Sequence, residues 1–425
     1  MNRINNERYQ ETYYEETLKN GLKVVLWHKP GYEKSYAAMA TPLGAFDVRQ
    51  IDSKGNIVEY PKGLAHFLEH KMFESPHGDV MDEFSKMGAN VNAMTTYNMT
   101  CYYFQTSGDL MDPLNLLLDF TQSFDIDEAS VEKEKEIIVQ ELNMYQQMSD
   151  FRLVKETYAA LFEKHPIRDD IGGTADSVNA TTLSDLKKCY ISNYHPSNMI
   201  LVIVTGKDPQ KILDGIKENQ SHKKFPSISS FERKHVRENA EVYKSHVTFE
   251  MDVNQPKVNV AYKLKGIFNP KERYKTEFAL RYALDAVFSP INPEYQIWLD
   301  NEIINDFFGY ECDLGEDYGY LMVYTETKKK QEFIELVQKQ LANMKQLEIS
   351  EEVYEQLKRR YFGENIKDLN DFESIALSLI RASFNHSHFF ELYELSESIE
   401  VKDISKAVNN LDIEHVSIVE CLPIQ

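Results

Sequence analysis

The stretch Gly63-Leu64-Ala65-His66-Phe67-Leu68-Glu69-His70-Lys71-Met72-Phe73 decides how the chain is read. Apolar residues occur almost all round it, which predicts a buried helix. Positions i and i+4 of a helix project from one face, so His66 and His70 can grip a single metal ion. Glu69 lies beside that face, placed to take a proton from a water that zinc acidifies towards a pKa of ~7. The order H-x-x-E-H is the inverse of the H-E-x-x-H zincin motif. Two histidines on a solvated helix face are the plainer reading. Against it, Leu64, Ala65, Phe67, Leu68, Met72 and Phe73 leave little solvated face, and buried imidazoles beside a carboxylate need a partner.

A catalytic zinc ion takes three protein ligands and leaves the fourth position to water. The expected helix 127–147 contains Glu132-Lys133-Glu134-Lys135-Glu136-Ile137-Ile138-Val139-Gln140-Glu141. Glu134 and Glu141 stand two turns apart on one face, with Ile137, Ile138 and Tyr145 expected beside them, whereas Glu132 and Glu136 point to solvent. Carboxylates on an apolar stripe require a cation or hydrogen bonds. Either one is a possible third ligand on spacing alone, and an ordinary charged helix is the alternative.

Outward from these helices, 22–27, 36–40, 91–96, 101–106 and 199–204 read as strands, the middle pair turning at Tyr97-Asn98. The stretch 219–245 is polar and reads as a linker. The second half again mixes strands (257–264, 318–324) with helices (273–288, 332–347, 351–362). Both halves end alike, with Asp185-Leu186-Lys187-Lys188 before the strand at 199–204 and Asp403-Ile404-Ser405-Lys406 before a strand at 415–420. The offset is nearly the same in both, a hint of duplication.

The chain has 425 residues, with 68 Asp plus Glu against 47 Lys plus Arg, a net charge of −21. Such a field disfavours nucleic-acid and anionic-membrane partners and suits neutral or basic ones. No apolar run of about 20 residues and no apolar leader are seen, so a membrane or exported protein is not expected. Cys101, Cys189, Cys312 and Cys421 are far apart and form no C-x-x-C, which points to free thiols and a cytoplasmic setting. His77, His222, His235, His386 and His388 fall in polar stretches and are expected to be exposed.

His66-x-x-Glu69-His70, followed by Glu134 and Glu141, resembles the pitrilysin/insulinase family of zinc peptidases, the inverzincins. The short two-domain bacterial branch, akin to the catalytic subunit of the mitochondrial processing peptidase, is the most similar. Asn92-Ala93-Met94-Thr95-Thr96 is similar to the family's edge strand. His165-Pro166 with Gly172-Gly173-Thr174, and Asn193-Tyr194-His195-Pro196-Ser197-Asn198-Met199, match two further segments. The resemblance implies one Zn2+ per chain on His66, His70 and Glu141, Glu69 as general base, and Glu134 as the acid that helps hold the site. It implies an α+β fold of two homologous domains, each an antiparallel sheet with helices. These are a zinc domain at 1–218 and a metal-free domain at 246–425, together half of a clam-shell chamber. Peptide would add as a strand along Asn92, Ala93, Met94 and Thr95. Met94, Tyr97, Tyr102 and Tyr103 line pockets in that picture, or are simply core.

One segment departs from the family. Active members hold the scissile carbonyl with an Arg and a Tyr seven residues apart. The corresponding stretch here is Trp298-Leu299-Asp300-Asn301-Glu302-Ile303-Ile304-Asn305-Asp306-Phe307, with Asp300 at the arginine position and no tyrosine seven residues on. The expectation is therefore the catalytic subunit of a heterodimer whose homologous, zinc-free partner supplies that pair; a homodimer is the other arrangement. A non-enzymatic scaffold or peptide-binding subunit with a vestigial zinc site is the reading from another class.

Overall fold

The computed structural model describes residues 1–75, 78–226, 231–346 and 348–424. The fold is α+β and divides into two compact units. Unit 1 comprises Met1–Leu142, Asp170–Lys234 and Ile366–Phe390; unit 2 comprises Asn143–Asp169, His235–Asn365 and Glu391–Gln425. Of the polar stretch 219–245, the beginning completes a helix ending at Ser221, and Phe231–Arg233 is a short strand pairing with Arg49–Asp52.

Unit 1 is built on a seven-stranded sheet of β1 (Asn2–Asn6), β2 (Glu11–Thr17), β3 (Lys23–His28), β4 (Ser35–Thr41), β5 (Ala89–Thr95), β6 (Thr100–Thr106) and β7 (Ile200–Thr205). Their spatial order is β1-β2-β3-β7-β4-β6-β5, which leaves β5 at an edge. Unit 2 holds a five-stranded sheet of β8 (His246–Met251), β9 (Lys257–Leu264), β10 (Gly309–Leu314), β11 (Gly319–Glu326) and β12 (Val416–Pro423), in the order β8-β12-β9-β11-β10. The run β3-β7-β4-β6-β5 repeats as β8-β12-β9-β11-β10. In each, the first pair is parallel and the other three are antiparallel. The second half thus rebuilds the topology of the first.

Six helices matter below: α1 (Leu64–Met72), α2 (Glu128–Gln146), α3 (Ser149–Leu161), α4 (Pro270–Phe288), α5 (Glu351–Asp368) and α6 (Phe372–Phe384). α1, α2 and α3 recur in order as α4, α5 and α6, but the third member changes unit. α3 comes from the first half and packs on β12 and β9 of unit 2; α6 comes from the second half and packs on β4 and β7 of unit 1. That explains why every residue of β4, β7 and β9 is buried: a strand covered on both faces leaves no side to solvent. On one face of β4, Ala37 and Met39 join the core with α1; α6 lies against the strand as well.

An aromatic cluster ties the 366–390 segment to the sheet of unit 1. Trp27 is stacked on Tyr13 with ring centroids 5.3 Å apart, and Phe389 and Phe390 meet it at 4.9 and 5.5 Å. Phe390 also touches Tyr13 and Tyr9. Replacing Phe390 by Ala removes the shared member of this cluster. Chemical denaturation should show a loss of about 3–5 kcal/mol for the transition that exposes Trp27. A change below about 1 kcal/mol would mean that the cluster does not anchor the segment.

Candidate metal centre

Backbone geometry places α1. Gly63 precedes its first turn at φ 84°, and a side chain there would come within 2.2 Å of the Gly172 carbonyl oxygen. Gly172 in turn has no room for a Cβ, which would lie 2.8 Å from Leu142 and 3.4 Å from His66 Nδ1. The Gly172-Gly173 turn therefore closes over the start of α1 and packs against the first histidine.

Across from α1 runs α2, which buries Val131, Glu134, Ile138 and Leu142 and turns Glu132 and Glu136 to solvent. Ile137 and Tyr145, expected on the inner stripe, are instead exposed at 44% and 36%. Only Ile138 of those three lies inside: the buried stripe runs through Val131, Glu134, Ile138 and Leu142, Ile137 falls to one side of it, and Tyr145 stands in the last turn of the helix.

Ligand atoms of His66, His70 and Glu141 lie within 4.8 Å of one another. Glu141 Oε2 is 3.3 Å from His70 Nε2 and 3.7 Å from His66 Nε2, and the two rings meet edge-on with centroids 4.6 Å apart. The other ring nitrogen of His70, Nδ1, donates to Glu134 Oε1 at 3.0 Å. Glu134 therefore stands behind a histidine and Glu141 beside both. His66 Nδ1 is buried and has no hydrogen-bond partner among the described residues. Two imidazoles and a carboxylate are donors of the kinds that zinc takes, and ligand atoms within 4.8 Å of one another could hold one ion between them.

The ionisation of the metal-free group is uneven. Burial, reinforced by His70, pushes His66 down to about 4, so it is neutral. Burial also pulls on His70, but its hydrogen bonds to Glu134 and Glu141 win and raise it to about 9. A proton on His70 thus sits where a cation would serve both carboxylates. Glu141 is lowered first by its bond to His70, and in Glu134 the bonds to His70 and Lys71 outweigh burial. Glu69 is raised by burial, an effect partly offset by a hydrogen bond from Thr95 Oγ1 at 2.5 Å.

Asn92, Ala93, Met94 and Thr95 all lie on the edge strand β5, where Thr95 also reaches Glu69. Tyr102 is core, hydrogen-bonded to Tyr194, and Tyr103 stacks on Tyr36. Phe46 stacks on Tyr97 at the turn that follows β5; there Arg233 pairs with Asp47 and donates to Asn98. Lys71 was not foreseen: it is fully buried and pairs with Glu134 and Glu74. Its signal was a charge on a helix otherwise apolar. Asp300 ends a helix of unit 2 and accepts a hydrogen bond from Gln296; Phe307 stands seven residues later. His222, His235, His386 and His388 are exposed, and His77 lies outside the described residues. The four cysteines are buried free thiols. No described helix is long and apolar enough to cross a membrane.

Comparison with known proteins places these observations. Residues 54–175 match the family model described as insulinase (peptidase family M16), and 180–361 match that of the peptidase M16 inactive domain. The uncharacterized zinc protease YmfH of Bacillus subtilis is 34% identical over 407 residues, 95% of each chain. An M16-like peptidase from Alicyclobacillus acidocaldarius shares the fold with a TM-score of 0.92 at 32% identity, covering 97% of this chain and 99% of that one. A Schizosaccharomyces pombe chain named as the beta subunit of the mitochondrial-processing peptidase is 30% identical over 192 residues, 44% of this chain and 40% of its own length.

The two histidines predict how the zinc-free chain responds to pH. His70, raised from 6.5 to about 9, stabilises the fold fully below pH 6.5 and loses that contribution as pH climbs through 9. His66, lowered from 6.5 to about 4, contributes above pH 6.5 and loses it as pH falls through 4. Their joint contribution is therefore largest near pH 6.5. Denaturation of wild type and of a His66→Ala/His70→Ala variant across pH checks this, and a stability difference independent of pH would refute it.

Proposed function

This chain belongs to the insulinase family, peptidase family M16, and from that membership we propose that it is a zinc-dependent endopeptidase acting on short or unfolded peptides. The observation that carries the reading is the convergence of His66, His70 and Glu141 with Glu69 beside them. One zinc ion per chain, held by those three residues, supplies Lewis acidity that brings water towards a pKa of ~7.

The chain's own residues do the rest. Glu69 takes the proton from the attacking water and delivers it to the departing amine. Burial raises its affinity for that proton, and the Thr95 hydroxyl fixes one carboxylate oxygen so that the other stays free to act. Glu134 keeps the His70 ring in place through Nδ1 and thereby fixes which nitrogen faces the metal. The open edge of β5 at Asn92, Ala93, Met94 and Thr95 accepts the peptide as an added strand. Backbone hydrogen bonds then bind it with little demand on sequence, so processing of a precursor or signalling peptide suits the site.

Asp300 and Phe307 leave this chain without the cationic and phenolic pair that would hold the scissile carbonyl. Arg281 of unit 2 is engaged by Glu277, and Arg360 by Glu364 and Asp285. A homologous zinc-free subunit supplies the pair in this reading, in keeping with a relative that is itself named as a subunit. A reducing, cytoplasmic setting suits the chain's four buried free thiols.

Glu69→Gln should lower peptide cleavage by about 10²–10⁴-fold while the chain still takes up one zinc, measured by mass spectrometry after reconstitution. Cleavage at the wild-type rate would remove Glu69 as the base. Mixing with the homologous zinc-free partner should raise activity far above that of the chain alone. Full activity without it would dismiss the heterodimer. No cleavage with any partner, zinc being bound, would favour a scaffold or peptide-binding subunit.

A further inference from the structure

We infer that Lys71, acting through Glu134, is a positioning residue that sets how tightly the centre holds its metal. This rests on the zinc reading above and deepens it. Lys71 follows His70 directly, yet its side chain is 0% exposed. Its ammonium lies 3.3 Å from Glu134 Oε2 and 3.4 Å from the Ser130 carbonyl oxygen, and it also pairs with Glu74. Ser130 Oγ donates to that same Glu74 carboxylate, so the ammonium is held from two directions.

Two arguments lead from this geometry to the metal. Glu134 has two oxygens and both are used: Oε1 on His70 Nδ1 and Oε2 on Lys71. Without Lys71 the carboxylate is anchored at one end only and can swing, and the ring of His70 swings with it. Charge is the second argument. Glu69, Glu134, Glu141 and the Glu74 that also touches Lys71 bring four carboxylates to one partly buried place, two more negative charges than a dication cancels; the Lys71 ammonium offsets one of them. A buried lysine paired with a glutamate is weak as a source of stability, because desolvation consumes much of the attraction. Its effect is instead felt in what the paired carboxylate holds. Partners that orient a ligating histidine typically change metal affinity by about 10–100-fold.

The test uses the full chain and zinc alone, with affinity read by competition against a chromophoric chelator and folding checked by circular dichroism. Lys71→Met, close in length but uncharged, should weaken zinc by about 10–100-fold. In a Glu134→Gln background the same change should cost less than about threefold, because the route through Glu134 is already cut. Lys71→Gln should reproduce the loss if the methionine variant does not fold. Zinc affinity within twofold of wild type, or equal losses in the two backgrounds, overturns the inference. If Glu141→Gln loses zinc and Lys71→Met does not, Lys71 alone is dismissed; a wild-type chain that takes up no zinc removes the metal centre with it.

Discussion

The contact between α1 and α2 imposes the strongest constraint on this molecule. Two imidazoles and three carboxylates meet there, beside the core of unit 1, where isolated charges are expensive. The arrangement stands because each group has a counterpart. His70 lies between Glu134 and Glu141, Lys71 takes the far oxygen of Glu134, and Thr95 donates to Glu69. What remains is a neutral His66 and a concave set of donors facing one point. A proton on His70 satisfies that set only in part, which is why the same geometry is suited to a divalent cation.

The second half meets the same architectural problem with different chemistry. α4 and α5 stand where α1 and α2 stand, yet no H-x-x-E-H occurs there. Asp285 on α4 accepts from Tyr361 of α5 at 2.6 Å and from Tyr310 of the edge strand β10 at 2.5 Å, with Arg360 3.4 Å away. Tyr361 stacks on Tyr282, and Glu277, which burial pushes up to about 7, is paired with Arg281. Phenol donors and guanidinium groups thus close the helix pair from within. Among the described residues no group of metal-ligating side chains is found at this contact, so the second half repeats the scaffold with different chemistry at the helix pair.

Much of this was legible because the decisive signals are local. The helical spacing of His66 and His70, the two-turn spacing of Glu134 and Glu141, and the strand pair around Tyr97-Asn98 depend on periodicities a few residues long. Long-range partnership was not legible. The amphipathic patterns of α3 and α6 show that each buries a face and are silent on which sheet receives it, so their exchange between units could not be read. Lys71 escaped for a related reason: a lysine on an apolar helix ordinarily extends its charged end to water. Only the fold shows Glu134 and Glu74 closing over it. Ile137 was misplaced because it lies beside the stripe of Val131, Glu134, Ile138 and Leu142, and Tyr145 because the last turn of α2 leaves it exposed.

The exchange of helices also determines when the centre can be complete. The chain leaves unit 1 after Leu142, one residue beyond Glu141, and comes back at Asp170, two residues before the glycine that packs on His66. Between those points it contributes α3 to the sheet of unit 2, through contacts such as Asn259 Nδ2 donating to Thr157 Oγ1 and Tyr158 donating to Tyr320. The sheet of unit 1 in turn packs with α6 and the Phe389-Phe390 pair, which lie more than 160 residues after β7, the last strand of that sheet in the sequence. Local contacts form first during folding, and pairings far apart in sequence carry the larger loop-closure cost. Glu141 and the Gly172 turn therefore flank the excursion 143–169, and bringing that turn back to His66 carries the loop-closure cost of a segment that belongs to the other unit.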